Sequence, residues 1–503
     1  MKKPKKLRII IALLLCLTFI LPLVVSCGKE DSKTDGGNPT AGAGDNSGTD
    51  SDSDIESDPA AAEIKDENIP DLPENANYNG AEFRMLLSGW SGVDFDVEEE
   101  KETGDRLNDA IYRRNIDIEE KYNIVIKMLN LDNFDSFGPS SDSYRKSVKS
   151  GSDDYDVFFG IQQYSLVDSM NSLNVEYKSL PYVDLNKPWW DSGILDVCYG
   201  DKVYFVSGDI THSTLGYTTL LIFNKYLFEE SNIEYPYQSV KDGTWTYDKF
   251  IGIIKNLSRD LNGDGVMKYQ DDLYTVSGWQ YEIPYNFHTV LGGSEVIKDS
   301  EGYPQINIFS EKSTGAIDKI LDIFSDYGGF FNNKSYGTDR DMFKNRQLYF
   351  LDIRMFEIER YGFRDMEDDF GMIPHPKLDG SAPYYTQLVN NNVVTVTTVP
   401  VTNTRLEMTS VLLEAFAYEG WKNISPEYKE VLLQTKMTRD NESADMFEYI
   451  WGHRTYRYGL EAYNDVLNMK VIGKANRAYV STYEALAAKA EAEIETIKEF
   501  FFE

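Results

Sequence analysis

Cysteine, histidine and positive charge are all scarce in this chain of 503 residues. The four histidines are far apart: His212, His288, His375 and His453. Their separation provides no metal-ligand spacing of the zinc type. The 50 basic residues are outnumbered by 83 acidic ones, which gives a net charge of −33. A field of that sign repels phosphate and argues against nucleic acid as a partner.

Catalytic signatures are missing as well. The sequence contains no Gly-x-Ser-x-Gly turn, no His-Glu-x-x-His helix and no phosphate-binding glycine loop. Because there are 83 acidic residues, many carboxylate pairs arise by chance, and no spacing selects the acid and base of a glycosidase. We therefore expect a protein that is not an enzyme, with a secreted glycoside hydrolase as the alternative.

A single long apolar run occupies residues 9–25, directly after five basic residues, which is the layout of a secretory signal. The run stops too early for a confident membrane span. Its end, Val24-Val25-Ser26-Cys27, resembles the lipobox of bacterial lipoproteins. That resemblance implies an acylated Cys27 that anchors the chain to the outer face of the cytoplasmic membrane. The alternative is a plain signal-anchor helix with a chance cysteine.

Residues 28–77 contain no aromatic side chain and consist mainly of Gly, Ser, Asp, Thr, Ala and Pro. Such a segment cannot bury enough apolar surface to offset its ordering entropy, so we predict a flexible acidic tether. Removal of residues 1–26 takes away five positive charges and no negative ones, which changes the net charge from −33 to −38. Cys198 is then the one cysteine left in the folded part, where a small buried hydrophobe is expected rather than a reactive thiol.

The folded part begins with a pattern of strand, helix and strand. Residues 83–87 follow an Asn-Gly turn signal and predict a buried strand. Apolar residues at helical spacing between Leu107 and Tyr122 predict an amphipathic helix, and residues 124–126 predict a second strand. A polar helical stretch near 142–150 then precedes a third strand at 155–159. This alternation indicates an α/β fold with a mostly parallel sheet.

Ligands of such sheets bind beyond the carboxyl ends of the strands. That rule selects Trp90, after the first strand, and Gln162, after the third, as ligand-binding candidates. At the other end of the chain, apolar residues between Leu486 and Ile497 predict an amphipathic helix that packs on the fold.

Several segments resemble the extracellular solute-binding proteins of ABC importers, of the maltodextrin-binding (family 1) type. They include "DYDVFFG", "DKVYFVSGDITHSTLGYTTLLIFNKYLFEE", "GTWTYDKFIGIIKNLSRDLNGDG" and "MEDDFGMIPHPK", in the order found in that family. The resemblance implies a two-lobed periplasmic-binding-protein type 2 fold, with hinge crossings near residues 205–222, 350–355 and 390–399. Lobe one is then expected at 78–208 plus 353–395, and lobe two at 209–352 plus 396–503.

The resemblance also implies ligand-facing groups at the crossings, namely Asp209, His212 and Asp352. Trp279, at the end of a predicted strand, is a further candidate, because an indole ring packs on the apolar faces of sugars, and Tyr281 after it is a candidate hydrogen-bonding partner of sugar hydroxyls. The alternatives are a core position for Trp279, a polar hinge at Asp209 and His212, and a loop start at Tyr281. For Asp352 the alternative is an interlobe ion pair with Arg354 at the second crossing.

A calcium-loop pattern occupies residues 260–271. It has acids or amides at positions one, three and five, glycine at six and a carboxylate at twelve. The side chains of Asp260, Asn262, Asp264 and Asp271 and the carbonyl of Val266 are the expected Ca²⁺ ligands, in a structural site. The twelfth residue is Asp where Glu is usual, and an acidic turn without metal is the alternative.

These observations predict an extracellular lipoprotein that captures a small ligand, expected to be a sugar or oligosaccharide, and delivers it to the permease of an ABC transporter. Closure of the two lobes around the ligand is the expected mechanism. Besides the glycoside hydrolase, a calcium-dependent glycan-binding or adhesion lipoprotein is an alternative, which the single calcium-loop copy disfavours.

Overall fold

The computed structural model describes residues 68–88, 97, 101–131, 138–389, 394–433 and 441–503. The described residues belong to one compact unit, Lys65–Glu503. The signal-like run, Cys27, most of the expected tether and Trp90 lie outside the described residues, so the expectations about them stay predictions. In the described ranges no helix has both the length and the apolar character needed to cross a membrane.

The strands of the described residues are short, with seven residues at most. In chain order they are β1 Ala81–Leu87, β2 Ile124–Asn130, β3 Val157–Ile161, β4 Thr219–Asn224, β5 Tyr274–Trp279, β6 Val296–Lys298, β7 Pro304–Ile306, β8 Phe330–Asn332, β9 Leu348–Arg354, β10 Phe370–Ile373, β11 Gln387–Leu388, β12 Thr395–Thr398 and β13 Arg454–Thr455.

The α-helices occur between the strands and beyond the last of them. They are α1 Arg106–Tyr122, α2 Pro139–Lys149, α3 Gln162–Met170, α4 Ser213–Gly216, α5 Lys225–Glu230, α6 Tyr237–Lys241, α7 Tyr247–Ile254, α8 Ile283–Val290, α9 Glu311–Ser325, α10 Thr338–Lys344, α11 Met355–Arg360, α12 Leu406–Glu419, α13 Ser425–Leu433, α14 Asn441–Trp451, α15 Tyr479–Glu484 and α16 Ala487–Phe502.

The predicted strand, helix and strand at the start of the fold are confirmed. Asn79 and Gly80 both have positive φ values, 54° and 75°, and turn the chain into β1. Helix α1 begins after Asp105, whose carboxylate accepts the amides of Leu107 and Asn108 at 3.1 and 3.0 Å. It ends at Asn123, where a left-handed backbone (φ 49°) directs the chain into β2.

The first sheet has four strands in the order β12-β3-β1-β2. β1 is parallel to both β2 and β3, and β12 joins the edge antiparallel to β3. The carboxyl ends of β1, β2 and β3 therefore lie at one edge of this sheet. Gln162 follows β3 at that edge.

The second sheet has five strands in the order β10-β4-β9-β5-β8. β5 is parallel to both β8 and β9, whereas β4 is antiparallel to β9 and to β10. β5, β8, β9 and β10 consequently all end at the same edge. This mixed architecture confirms the α/β class expected from the sequence.

Two chain segments join the sheets. Thr218, just before β4, bridges Val389, and Val206 bridges Thr397 of β12. Near them, β13 pairs with β11. One apolar core cluster contains buried residues of both sheets and of the C-terminal helices α15 and α16. The amphipathic C-terminal helix expected between Leu486 and Ile497 is present as α16, with Ala490, Ile494 and Ile497 buried.

Strand pairing differs from the lobe boundaries that the resemblance implied. Residues 353–395 were expected in lobe one, yet β10 lies in the five-stranded sheet with β4. The 350–355 segment was expected to be a crossing, but β9 stays within that sheet, because it pairs with β4 on one side and β5 on the other. β12, most of which was expected in lobe two, pairs with β3. The exact boundaries of the two lobes remain a prediction.

Candidate functional site

The carboxyl edge of the five-stranded sheet gathers several aromatic residues. Trp279 is the last residue of β5, and Tyr336 follows β8. The Trp279 ring lies 5.5 Å from Tyr281, at 54°, and 5.2 Å from Tyr336, at 89°. Trp279 is half-buried and Tyr281 is 37% exposed. The strand-end position and the accessible rings make this edge the strongest candidate for ligand binding.

More rings continue this edge. Tyr217, before β4, packs edge-on against Phe356 of α11 at 4.9 Å, and Tyr361 lies 5.8 Å from Tyr336. We call the six rings of this edge the aromatic edge cluster: Tyr217, Trp279, Tyr281, Tyr336, Phe356 and Tyr361.

Five buried charged side chains lie against the aromatic edge cluster: Glu282, Asp339, Arg340, Arg354 and Glu357, each at most 8% exposed. Arg340 donates to Asp339 at 2.8 Å and is also paired with Glu357. Arg354 contacts Glu357 at 3.0 Å and Glu282 at 3.4 Å. The guanidinium groups of Arg340 and Arg354 also lie over rings of the cluster, at 4.4 Å from Tyr336 and 4.9 Å from Phe356.

Two of these carboxyl groups titrate in opposite directions. Burial raises the pKa of Glu282 to about 7, with a further increase from the charge of Glu357 and an opposing effect of Arg354. Burial also disfavours the charge of Glu357, but the hydrogen bonds and positive charges of Arg354 and Arg340 outweigh it and lower the Glu357 pKa to about 2. The site therefore combines a permanent buried anion with an acid that can change charge near neutral pH.

Asp352 lies in β9 just before this edge, and its carboxylate is already engaged. Asn286 of α8 donates to it at 2.8 Å, and the Nε2 atom of His375 lies 2.7 Å away. The other ring nitrogen of His375 is 2.7 Å from Gln387 of β11. Asp352 is 2% exposed. Its contacts connect β9, α8 and β11, while its predicted role in ligand binding stays a prediction.

Gln162 reaches across from the first sheet. Its side-chain amide donates to the carbonyl of Arg457 at 3.1 Å. The guanidinium of Arg457 pairs with Glu295 at 3.0 Å and lies 3.8 Å from the ring centre of Tyr285, in α8. Gln162 thus contacts the segment after β13, which packs against α8, and not the aromatic edge cluster itself.

Asp209 and His212 lie on a different surface. Asp209 accepts a hydrogen bond from the hydroxyl of Ser425, at the start of α13. Burial raises the Asp209 pKa to about 6, against the effect of this hydrogen bond. Asp209 lines a cavity of about 440 Å³ together with Trp421, Lys429 and Arg454. The His212 ring packs against Tyr428 at 4.7 Å.

The structure thus brings Trp279 and Tyr281 together and places Gln162, Asp209 and His212 elsewhere. Asp352 lies in β9 close to this edge, and its charge acts on Glu282. Sequence reasoning missed Tyr336, Arg340 and Glu357. The strand-end rule that selected Trp279 also selects the residues after β8, but β8 has only three residues and gives no clear strand signal.

The calcium-loop pattern forms an exposed turn. The carboxylate of Asp260 accepts the amides of Gly263 and Gly265, each at 2.7 Å, and Asp264 accepts the amide of Val266 at 2.8 Å. Lys268 forms an ion pair with Asp264.

The carboxylate that closes this turn is the buried Asp272, which accepts the amides of Leu261 and Lys268 at 2.9 and 2.7 Å, whereas Asp271 is exposed. Over the described part of the chain, no three His, Cys, Asp or Glu side chains are grouped for metal binding. The Ca²⁺ site expected from Asp260, Asn262, Asp264, Val266 and Asp271 remains a prediction.

Comparison with known proteins gives matches in structure alone. No protein-family model matches the chain, and no curated protein matches it in sequence. The fold is similar to a cyclo/maltodextrin-binding protein complexed with maltotetraose, with 15% identity and a TM-score of 0.54 over 84% of this chain and 98% of that one.

Two further solved structures are similar. The ABC substrate-binding protein Lmo0181 from Listeria monocytogenes, in complex with cycloalternan, has 12% identity and a TM-score of 0.50 over 83% of this chain and 98% of that one. UgpB from Mycobacterium tuberculosis, in complex with glycerophosphocholine, has 12% identity and a TM-score of 0.53 over 83% and 99%. The chain therefore has the two-lobed α/β fold of ABC substrate-binding proteins.

Proposed function

We propose that this chain, which has the fold of the ABC substrate-binding proteins, captures a saccharide between its lobes and delivers it to the permease of an ABC importer. The observation that carries this proposal is the aromatic edge cluster at the carboxyl edge of the five-stranded sheet. Accessible rings such as Trp279 and Tyr281 can pack on the apolar faces of a sugar, and polar groups beside them can bind its hydroxyls.

The solved structures with this fold support a small, polar ligand. Those described above hold maltotetraose, cycloalternan and glycerophosphocholine. Two of the three ligands are oligosaccharides, and all three carry hydroxyl groups. Since a shared fold does not fix a ligand, the saccharide assignment depends on the aromatic edge cluster of this chain as well.

The cellular setting is part of the proposal. The basic residues, the apolar run and the lipobox-like Val24-Val25-Ser26-Cys27 support export and a lipid anchor on Cys27, with residues 28–77 as the tether. In this arrangement the folded part faces the outside of the cell, where the ligand is captured. Mass spectrometry of the protein from its native membrane tests the anchor, since acylation adds a defined mass to the N-terminal Cys27 peptide.

The alternative, a glycoside hydrolase, is favoured by one observation: Glu282 and Glu357 have pKa values shifted in opposite directions, as an acid and a nucleophile require. Burial argues against it. Glu357 is 0% exposed and is paired with both Arg340 and Arg354, so it has no path to a sugar carbon. We therefore propose capture rather than cleavage.

The deciding experiment is a thermal-shift screen of the full chain, in mild detergent, against mono- and oligosaccharides that include maltotetraose. The same mixtures are assayed for hydrolysis products, and small-angle scattering is recorded for every hit. A saccharide that raises the melting temperature, compacts the particle and is recovered uncut supports capture. Protein-dependent fragments would support the hydrolase, and no response to any saccharide would contradict the proposal.

A further inference from the structure

Four consecutive residues at the end of β5, Trp279, Gln280, Tyr281 and Glu282, form a corner that combines two accessible rings with two buried oxygen acceptors. We call it the Trp279 corner. The rings of Trp279 and Tyr281 are inclined at 54° with centres 5.5 Å apart. Gln280 and Glu282 are each 8% exposed, and they flank Tyr281 in the sequence.

When Glu282 is ionised, the charges behind the Trp279 corner do not balance. Three carboxylates, Glu282, Asp339 and Glu357, face two guanidiniums, Arg340 and Arg354. Arg340 is committed to Asp339 and Glu357, and Arg354 to Glu357 at 3.0 Å. Glu282 has the loosest of these pairings, at 3.4 Å from Arg354. It follows Tyr281 in the chain, and its charge acts on Tyr336, whose ring packs on Trp279, so its ionisation adds negative charge near the Trp279 corner.

An unmet hydrogen bond lies in the same turn. The side-chain oxygen of Gln280 is buried and has no donor among the described residues, and the Nε atom of Arg354 has no acceptor there. Native proteins rarely leave such atoms unpaired. A ligand that places an N–H or O–H donor against the Trp279 corner satisfies the Gln280 oxygen.

Aromatic faces attract cations as well as sugars. The face of an indole or phenol ring carries partial negative charge, and aromatic side chains are a common receptor for ammonium groups. The nearby arginines already lie over other rings of the aromatic edge cluster, Tyr336 and Phe356. Trp279 and Tyr281 are the rings next to Glu282. One positive charge placed between them restores the charge balance of the five buried side chains.

We propose that the Trp279 corner binds a protonated amine of the ligand, so that the captured saccharide is an amino sugar or its oligomer rather than a neutral or acidic glycan. This inference rests on the proposed saccharide capture. Glu282 is the carboxylate that pairs with the amine, Trp279 and Tyr281 contact its positive charge, and Gln280 accepts one of its hydrogens. The net charge of −33 on the whole chain also disfavours the binding of acidic glycans.

The test is calorimetry of the full chain with two probes that share backbone and length: the β-1,4-linked tetramer of glucosamine and the same tetramer of N-acetylglucosamine. At pH 7, where about half of Glu282 is ionised, we expect the glucosamine tetramer to bind about tenfold more tightly, and the preference to shrink as salt screens the charge. Glu282→Gln should remove the preference, whereas Glu230→Gln, which changes an exposed acid on α5, should keep it.

Tyr281→Leu is the second variant, because its exposed side chain can be changed without disturbing the buried ion pairs. It should weaken binding of the glucosamine tetramer, and Tyr281→Phe should restore it, since both aromatic rings attract a cation. A melting curve for each variant shows whether it is folded. Equal binding of the two tetramers, or an unchanged preference in Glu282→Gln, would overturn the inference.

Failure of this inference can be told apart from failure of the proposed function. If maltotetraose or the acetylated tetramer binds at least as tightly as the glucosamine tetramer, the corner does not select an amine, although saccharide capture stands. If no saccharide binds, saccharide capture fails, and choline and spermidine then probe the corner alone. Binding of either cation that Glu282→Gln abolishes supports the amine site, and no binding of either one contradicts it.

Discussion

The molecule contains two clusters of tryptophan and glutamate residues that have a similar composition but different surroundings. In the first, Trp189 and Trp190 donate their indole N–H groups to the carboxylate of Glu414 at 3.1 and 2.9 Å. In the second, Trp279 stands beside Glu282 at the end of β5. Burial raises the pKa of both glutamates to about 7.

The two groups differ in how accessible their aromatic rings are. Trp189 is fully buried, and its ring packs against Tyr418 and Trp421. Trp279 is only half-buried, next to a tyrosine that is 37% exposed. The raised pKa of Glu414 therefore reflects packing, whereas the raised pKa of Glu282 belongs to a candidate site. The accessibility of the neighbouring rings distinguishes the two cases.

The prediction with the largest expected effect concerns the buried group of Trp189, Trp190 and Glu414. Glu414→Leu leaves the indole N–H groups of Trp189 and Trp190 buried without an acceptor. At roughly 1–3 kcal/mol for each group, we expect a loss of about 4 kcal/mol in the free energy of unfolding. Glu407→Leu, an exposed change on the same helix α12, should cost about 0.5 kcal/mol or less. Equal losses in urea denaturation would show that the Glu414 hydrogen bonds do not stabilise the fold.

The titration of Glu414 gives the next largest effect. Since the folded state holds this proton up to about pH 7, while an unfolded glutamate releases it near pH 4.3, stability should fall as the pH rises between these values. The Glu414 contribution has an upper limit of roughly 3.7 kcal/mol. The wild type and Glu414→Gln are compared by urea denaturation at pH 5 and 7.5. The stability advantage of the wild type should shrink at pH 7.5, and a constant difference would contradict the raised pKa.

A third prediction concerns the candidate ligand-binding site at Trp279 and Tyr281. Trp279→Ala should weaken saccharide binding by about 2 kcal/mol, roughly thirtyfold in Kd, with a small change in stability. Tyr281→Ala should act in the same direction. Tyr226→Ala is the matched control, because Tyr226 is 38% exposed but lies on α5, where it packs on Arg346. Calorimetry with the best saccharide of the screen measures the affinity of all three variants. An equal loss of affinity in the control would show that the saccharide does not bind at the aromatic edge cluster.

The smallest effect concerns the exposed turn at residues 260–271, which takes part in neither group. We expect a chelator to lower the melting temperature by about 2 °C, because loss of a bound ion removes stabilisation from the folded state. Asp260→Ala should abolish that response and leave saccharide binding unchanged. A melting curve that does not respond to Ca²⁺ or chelator would exclude a stabilising metal.

The order of elements near the start of the fold could be predicted because it follows from local patterns. The turn at Asn79 and Gly80, the helix begun at Asp105 and the strands β1 and β2 all depend on residues that are close in sequence. The resemblance to solute-binding proteins supplied the two-lobed fold. It assigned β10 to lobe one, whereas β10 pairs with β4 in the five-stranded sheet, because the partner of a strand is chosen by contacts distant in sequence.

The candidate site could be predicted only in part. Trp279 and Tyr281 were found because they follow a strand end. Tyr336, Arg340 and Glu357 were not, since they are more than 50 residues away and come together with Trp279 through the order β9-β5-β8. Asp352 was selected from the hinge, yet its carboxylate is engaged with Asn286 and His375.

The residues alone were enough to establish the alternation of strands and helices, the negative charge of the chain, the lipobox-like end of its apolar run and the acidic turn. These features depend on composition and on neighbours in the chain. The folded chain was needed to show which tryptophans are buried and which carboxylates are paired with arginine. Burial and ion pairing depend on groups brought together across the sheets, and the same Trp and Glu residues acquire different roles from them.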